Sequence, residues 1–199
     1  LDWWEKVGGY RPLEDVSYTD FGIPQARMPE ELSHVTAATK DQWLERFALE
    51  EEIKIAERCE TMMNKAQEAE PRDMEIRRLH ELAKATNALT HLHRDYHWAM
   101  VYACLARNTA APEARTEPVE QSRKHLKSAI EHAARYKNAL WPLIAVEKRK
   151  ALAYVVKRNY VLFIPCMVRE AACLFDQEFG GESLTAFLDT AMGLKTAPH

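Results

Sequence analysis

Glycine is almost missing from the body of this 199-residue chain: none occurs between Gly22 and Gly180, a span of 157 residues. Glycine breaks helices and supplies most positive-φ turns, so its absence leaves little besides long helices joined at proline-marked corners. The four cysteines, Cys59, Cys104, Cys166 and Cys173, form no CxxC or CxH pattern, which excludes a zinc knuckle or a disulfide framework. Cys166 and Cys173 stand seven residues apart on an expected helix, roughly 10 Å along its axis, too far for a disulfide. All four are expected as small buried hydrophobes in a reducing compartment. The longest uncharged apolar run, Asn159 to Val168, is ten residues and contains Pro165, too short to cross a bilayer. There is no GxSxG elbow and no phosphate-cradling glycine loop, so neither nucleophilic nor nucleotide chemistry has a foothold. A net charge of −3 and a pI near 6.3 argue against a general nucleic-acid binder.

What is present is helical. Asp73 to Arg107 holds no glycine or proline, is rich in helix formers and repeats its apolar residues at helical spacing, so it reads as one helix of nine or ten turns. At about 100° per residue, Leu79, Leu82, Thr86, Leu89, His93, Tyr96, His97, Met100 and Cys104 share one face, and the other segments are expected to cover it. Before it, Thr39 and Gln42 have the form of a capping box that opens a helix closed by Pro71. The apolar face of that helix is Leu44, Ala48, Ile55, Cys59, Met62, Met63 and Ala66, with Glu52 near the middle. After it, residues 108 to 116 read as a polar connection. Thr116 is the expected N-cap of a third helix to about Leu140, with Val119, Leu126, Ala129, Ile130, Ala133 and Leu140 inward. Trp141-Pro142 reads as a corner. A fourth helix, Pro142 to Phe179, is apolar on more than one side, kinked at Pro165 and ended by Gly180-Gly181. A short helix from Ser183 to Met192 closes at Gly193. No fixed-period repeat occurs, and helices of about 30 residues are too long for a TPR-type array. The expected fold is all-α: about four long antiparallel helices in a bundle (39–179), an extended aromatic N-terminal arm (1–38), and a short C-terminal helix with its tail (180–199).

The arm carries Trp3, Trp4, Tyr10, Tyr18 and Phe21, whereas a disordered tail is normally poor in aromatics. These side chains have a surface to cover, either this protein's own bundle or a neighbour's, since Trp and Tyr are common both in cores and as anchors on partners. They are the expected partner-binding residues. The first residue is Leu1 rather than methionine, which points to a removed organelle presequence.

The sharpest chemical pattern is His93 and His97, at i and i+4 on one face, the spacing by which a helix offers two imidazoles to a metal, with Glu52 as a third candidate ligand. The Glu-x-x-His of ferritin-like di-iron bundles occurs once, at Glu31 to His34, outside the long helices. Buried histidines more often find a structural partner than a metal, so no metal or cofactor is expected. His80, His91 and Asp95 on one helix, and His125 and His132 on another, read as boundary residues with nothing to join them. Charge is segregated: residues 39 to 70 hold nine acids and five bases, net −4, and residues 121 to 158 hold ten bases and two acids, net +8. The basic stretch includes Arg123, Lys124, Lys127, Arg135 and Lys137, and is expected to face the acidic helix or solvent rather than RNA.

These features imply a non-catalytic accessory subunit of a larger multiprotein assembly, with a mitochondrial energy-converting complex as the nearest type, docking through the aromatic arm and the charged helix faces. The alternatives are a helical metalloprotein using His93 and His97, and an RNA-associated helical protein using the basic stretch.

Overall fold

The computed structural model describes residues 32, 34–146 and 163–193, and for 142–146, 163 and 166 only the backbone. The described residues form α-helices and no strand: α1 (Lys40–Arg46), α2 (Glu50–Ala69), α3 (Met74–Asn108), α4 (Pro112–Val146), α5 (Phe163–Phe179) and α6 (Leu184–Ala191). The fold of the described residues is therefore all-α. The expected partner-binding residues of the arm, Trp3, Trp4, Tyr10, Tyr18 and Phe21, lie outside the described residues.

The long central helix forms where its sequence places it. Asp73 caps α3 by accepting hydrogen bonds from the amides of Glu75 (2.8 Å) and Ile76 (3.0 Å). Side-chain pairs fix its neighbours. Glu57 meets His91 and Glu60 meets Asn87, so α2 runs antiparallel to α3. Asp95 meets Ser128 and Ala99 meets Ser122, so α4 is antiparallel to α3 on another side. The bidentate pair of Arg107 with Glu178 joins α3 to α5, and Trp98 Nε1 donates to the Leu44 carbonyl of α1 at 2.9 Å. Leu32 and Val35, at the end of the expected arm, are fully buried, and Asn108 Nδ2 donates to the Val35 carbonyl at 2.8 Å. That end of the arm belongs to the core.

Several expected boundaries move. The single helix expected from Thr39 to Pro71 is broken at Phe47–Leu49, where Leu49 takes φ 52°. Three consecutive glutamates, Glu50, Glu51 and Glu52, then occupy the first turn of α2, where the helix dipole favours them. The break lets Trp43 and Phe47 turn onto α3, with Phe47 stacked on His97. The capping box at Thr39 does not form: its hydroxyl accepts from the Thr36 amide at 3.0 Å instead of an amide of α1. The connection after α3 shrinks to Thr109–Ala111, because Pro112 starts α4 at a position where its missing N–H costs nothing. Thr116 is thus inside the helix rather than its cap. Trp141-Pro142 is no corner, since α4 continues to Val146. Pro142 removes one intrahelical bond, from the carbonyl of Asn138, and Asn138 is exposed to water. Pro165 lies in the first turn of α5, and residues 147–162 of the expected fourth helix fall outside the described residues.

The C-terminal reading holds in detail. Gly180 (φ 65°) and Gly181 (φ 84°) end α5, and Gly193 (φ 64°) follows α6. Ser183 caps α6, and Asp176 of α5 accepts from the amides of Leu184 and Thr185 and from the Ser183 hydroxyl. Arg123 of α4 donates to the carbonyls of Gly180 and Glu182, both at 2.6 Å, and lies over the Phe175 ring. Lys127 pairs with Glu182 at 2.6 Å and Lys137 donates to the Met192 carbonyl at 2.5 Å. These cations of the basic stretch serve the α5–α6 corner and the end of α6, not the acidic α2.

Candidate functional site

The face of α3 that meets α4 is made of small residues at heptad-like spacing: Ala85, Ala88, Leu92, Asp95, Ala99, Ala103 and Ala106, all buried. Small side chains bring the two backbones close, and Ser122 Oγ of α4 reaches the Ala99 carbonyl at 2.8 Å. One member of that seam is a carboxylate. Asp95 is 2% exposed, and an unpaired charge there would be very costly.

Its partners come from both helices. Ser128 Oγ donates to Asp95 Oδ2 at 2.5 Å and Arg94 Nε to Oδ1 at 3.1 Å. His125 Nδ1 stands 3.5 Å from Oδ1 and His132 Nε2 3.7 Å from Oδ2. Burial pushes the Asp95 carboxyl up, but His125, Ser128 and Arg94 outweigh it and hold it at about 2. Aromatic contacts wrap the cluster. His125 stacks on Tyr102 with centroids 5.8 Å apart, and Trp98 meets it edge-on at 5.1 Å. Arg94 lies over Trp98. His132 stacks on His91 with centroids 4.9 Å apart, and His91 Nε2 is 3.1 Å from Glu57 Oε1 of α2. One polar array thus runs Glu57, His91, His132, Asp95, His125 through α2, α3 and α4. Of the two histidine sets expected as unconnected boundary residues, His91 and Asp95 are joined to His125 and His132 across the α3–α4 seam, whereas His80 meets Asn64 of α2 at 2.6 Å.

The candidate metal ligands are not brought together. His97 Nδ1 donates to the His93 carbonyl at 2.7 Å, and its ring lies on Phe47 at 4.5 Å. Burial lowers the His97 pKa, opposed by that hydrogen bond, which leaves a neutral ring. The His93 and His97 rings meet at 85° with centroids 6.3 Å apart, so they do not converge on a common point. Glu52 is half-buried on α2. Among the described residues, no group of three or more histidine, cysteine, aspartate or glutamate side chains is placed to hold a metal ion.

The cysteines divide. Cys104 is buried, and burial raises its thiol to about 11; Cys59 is exposed and Cys173 half-buried. Cys59 belongs to the apolar face expected to turn inward on α2, and that face is open: Ile55 is 55% and Met62 60% exposed. Leu79 and Leu82, on the expected buried stripe of α3, are 40% and 43% exposed. On a helical projection the α2 set lies opposite the residues of α2 that meet α3, and Leu79 and Leu82 point away from the face of α3 that meets α4. α2 meets α3 instead through Ile53, Ala56, Glu57 and Glu60. Among the described residues no helix is long and apolar enough to cross a membrane.

Compared with protein-family models, with curated proteins and with solved structures, the chain matches none.

Proposed function

We propose that this chain is a non-catalytic accessory subunit of a larger multiprotein assembly, built as a helical bundle with an extended aromatic arm. A mitochondrial energy-converting complex is the class of assembly to test first. The observation that carries the reading is the exposed apolar face of α2, where Ile55 is 55% and Met62 60% exposed beside the exposed Cys59. Ile55, Cys59, Met62 and the half-buried Ala66 repeat at intervals of four and three, which is the seam by which one helix receives another. The arm residues Trp3, Trp4, Tyr10, Tyr18 and Phe21 supply a second set of anchors.

The metalloprotein alternative has less support, because among the described residues no three histidine, cysteine, aspartate or glutamate side chains are grouped to hold a metal ion. The RNA alternative is weakened because Arg123, Lys127 and Lys137 bind groups of this chain.

The test is a pull-down of the endogenous protein run on a native gel, with its companions identified by mass spectrometry. Co-migration with fixed companions, lost on deleting residues 1–28 or in the Ile55→Lys, Met62→Lys double variant, supports the reading. Migration of the wild type as a free monomer overturns it.

A further inference from the structure

His132 is a half-buried imidazole with few hydrogen-bonding opportunities. Its Nδ1 is shielded from solvent and has no hydrogen-bond partner among the described residues. Its Nε2 is 3.7 Å from Asp95 Oδ2, beyond hydrogen-bonding distance. The ring is held instead by lying almost flat, at 13°, against His91. The charged and titratable groups around this pair come from three helices. α2 brings Glu57 against His91; α3 brings His91, Arg94 and Asp95; α4 brings His125 and Arg135. The carboxylate nearest His132 already serves Ser128 and Arg94. A neutral imidazole rests in this setting at little cost. An imidazolium is drawn to Asp95 but lies face to face with a second imidazole and near two guanidinium groups, with a buried N–H lacking an acceptor.

We propose that the stacked His91–His132 pair is an acid-operated latch of the α3–α4 seam: proton uptake at His132 loosens α4 from α3, and loss of the proton closes it. Burial and the neighbouring His91 ring push His132 down, Asp95 pulls it up, and Arg135 and Arg94 push it down further, to about 4 against an ordinary 6.5. An opened seam returns His132 to its ordinary value, so the open state binds the proton first as pH falls. The opening constant therefore grows by up to about tenfold per pH unit between 6.5 and 4, and this residue contributes no pH dependence above that window. The stabilising effect of the neutral ring is fully present above 6.5 and is lost as acid enters the window.

The experiment is native-state hydrogen exchange on the full chain at pH 7, 6 and 5, with amide protection factors in α4 from Ser122 to Ala133 compared with those in α6. The expected result is a selective loss of protection in α4, several-fold to tenfold per pH unit below 6.5, that is absent in His132→Phe, a variant that keeps a flat ring against His91. Equal pH dependence in α4 and α6, or an unchanged α4 loss in His132→Phe, overturns the latch. If that variant does not fold, carbon-13 NMR of the wild-type histidines decides: a His132 midpoint far below 6.5 supports the latch and a midpoint near 6.5 overturns it.

Discussion

The two helices that flank α3 use it in opposite ways. Against α4, α3 presents alanines and leucine in a closed seam and buries one charge with its partners inside it. Against α2, it meets a strongly acidic helix through Ile53, Ala56 and two polar pairs, Glu57 with His91 and Glu60 with Asn87, while Ile55, Cys59 and Met62 face away. The first arrangement resembles the interior of a finished domain. The second leaves part of the apolar surface of α2 exposed. Hydrophobicity alone does not locate a core; where small residues let backbones approach decides which apolar stripe is closed first.

The strongest blow to this contrast is Asp95→Ala. It strands Arg94 beside a buried seam and removes the acceptor of Ser128, so urea unfolding should show a loss of about 3–5 kcal/mol. Ala99→Leu should cost about 1–3 kcal/mol by forcing side-chain bulk between α3 and Ser122, measured in the same way. Acid probes the seam without mutation. Because Asp95 is held at about 2 against an ordinary 3.8, its contribution is complete above 3.8 and vanishes as pH falls through 2, a loss of about 2 kcal/mol detectable in acid-unfolding curves of wild type. Gly181→Ala, outside the seam, meets positive φ and the Arg123 guanidinium together, and should lower stability by about 1 kcal/mol. At the other extreme, Ile55→Lys with Met62→Lys should leave the unfolding midpoint within about 0.5 kcal/mol of wild type, as at ordinary surface positions. A large loss there would show that the open face of α2 is covered within this chain.

The sequence made much of this fold legible for local reasons. The helix starts near Asp73 and Ser183 and the stops at Gly180-Gly181 and Gly193 are set within a few residues, and each is where the sequence reading places it, with Asp73 and Ser183 serving as the N-caps. The inward set of α4, Leu126, Ala129, Ile130, Ala133 and Leu140, is also as the periodicity indicates. The break at Leu49 was not legible from the apolar pattern, because a leucine at positive φ goes against local preference and persists through the packing of Phe47 on His97. Pro142 misleads for the opposite reason: its cost falls on the carbonyl of an exposed residue. The polar cluster escaped because helical spacing links residues within one helix, whereas Asp95 gains its meaning from Ser128, His125 and His132, thirty or more positions away. A signal was available. Asp95 interrupts an otherwise uncharged seam of Ala85, Ala88, Leu92, Ala99 and Ala103, and a charge in a small-residue seam calls for partners opposite.

The placement of Arg123, Lys127 and Lys137 also sets an order of assembly. The pairings of α2, α3 and α4 are made between consecutive helices across tight turns, and so need little loop closure. The contacts of those three cations with Gly180, Glu182 and Met192 join positions 55 to 59 residues apart and can form only after the intervening chain has returned. Such distant contacts are slow to find, and local ones quick. The α4 surface therefore matures as a template, already holding its charges in place, onto which the C-terminal helices arrive last.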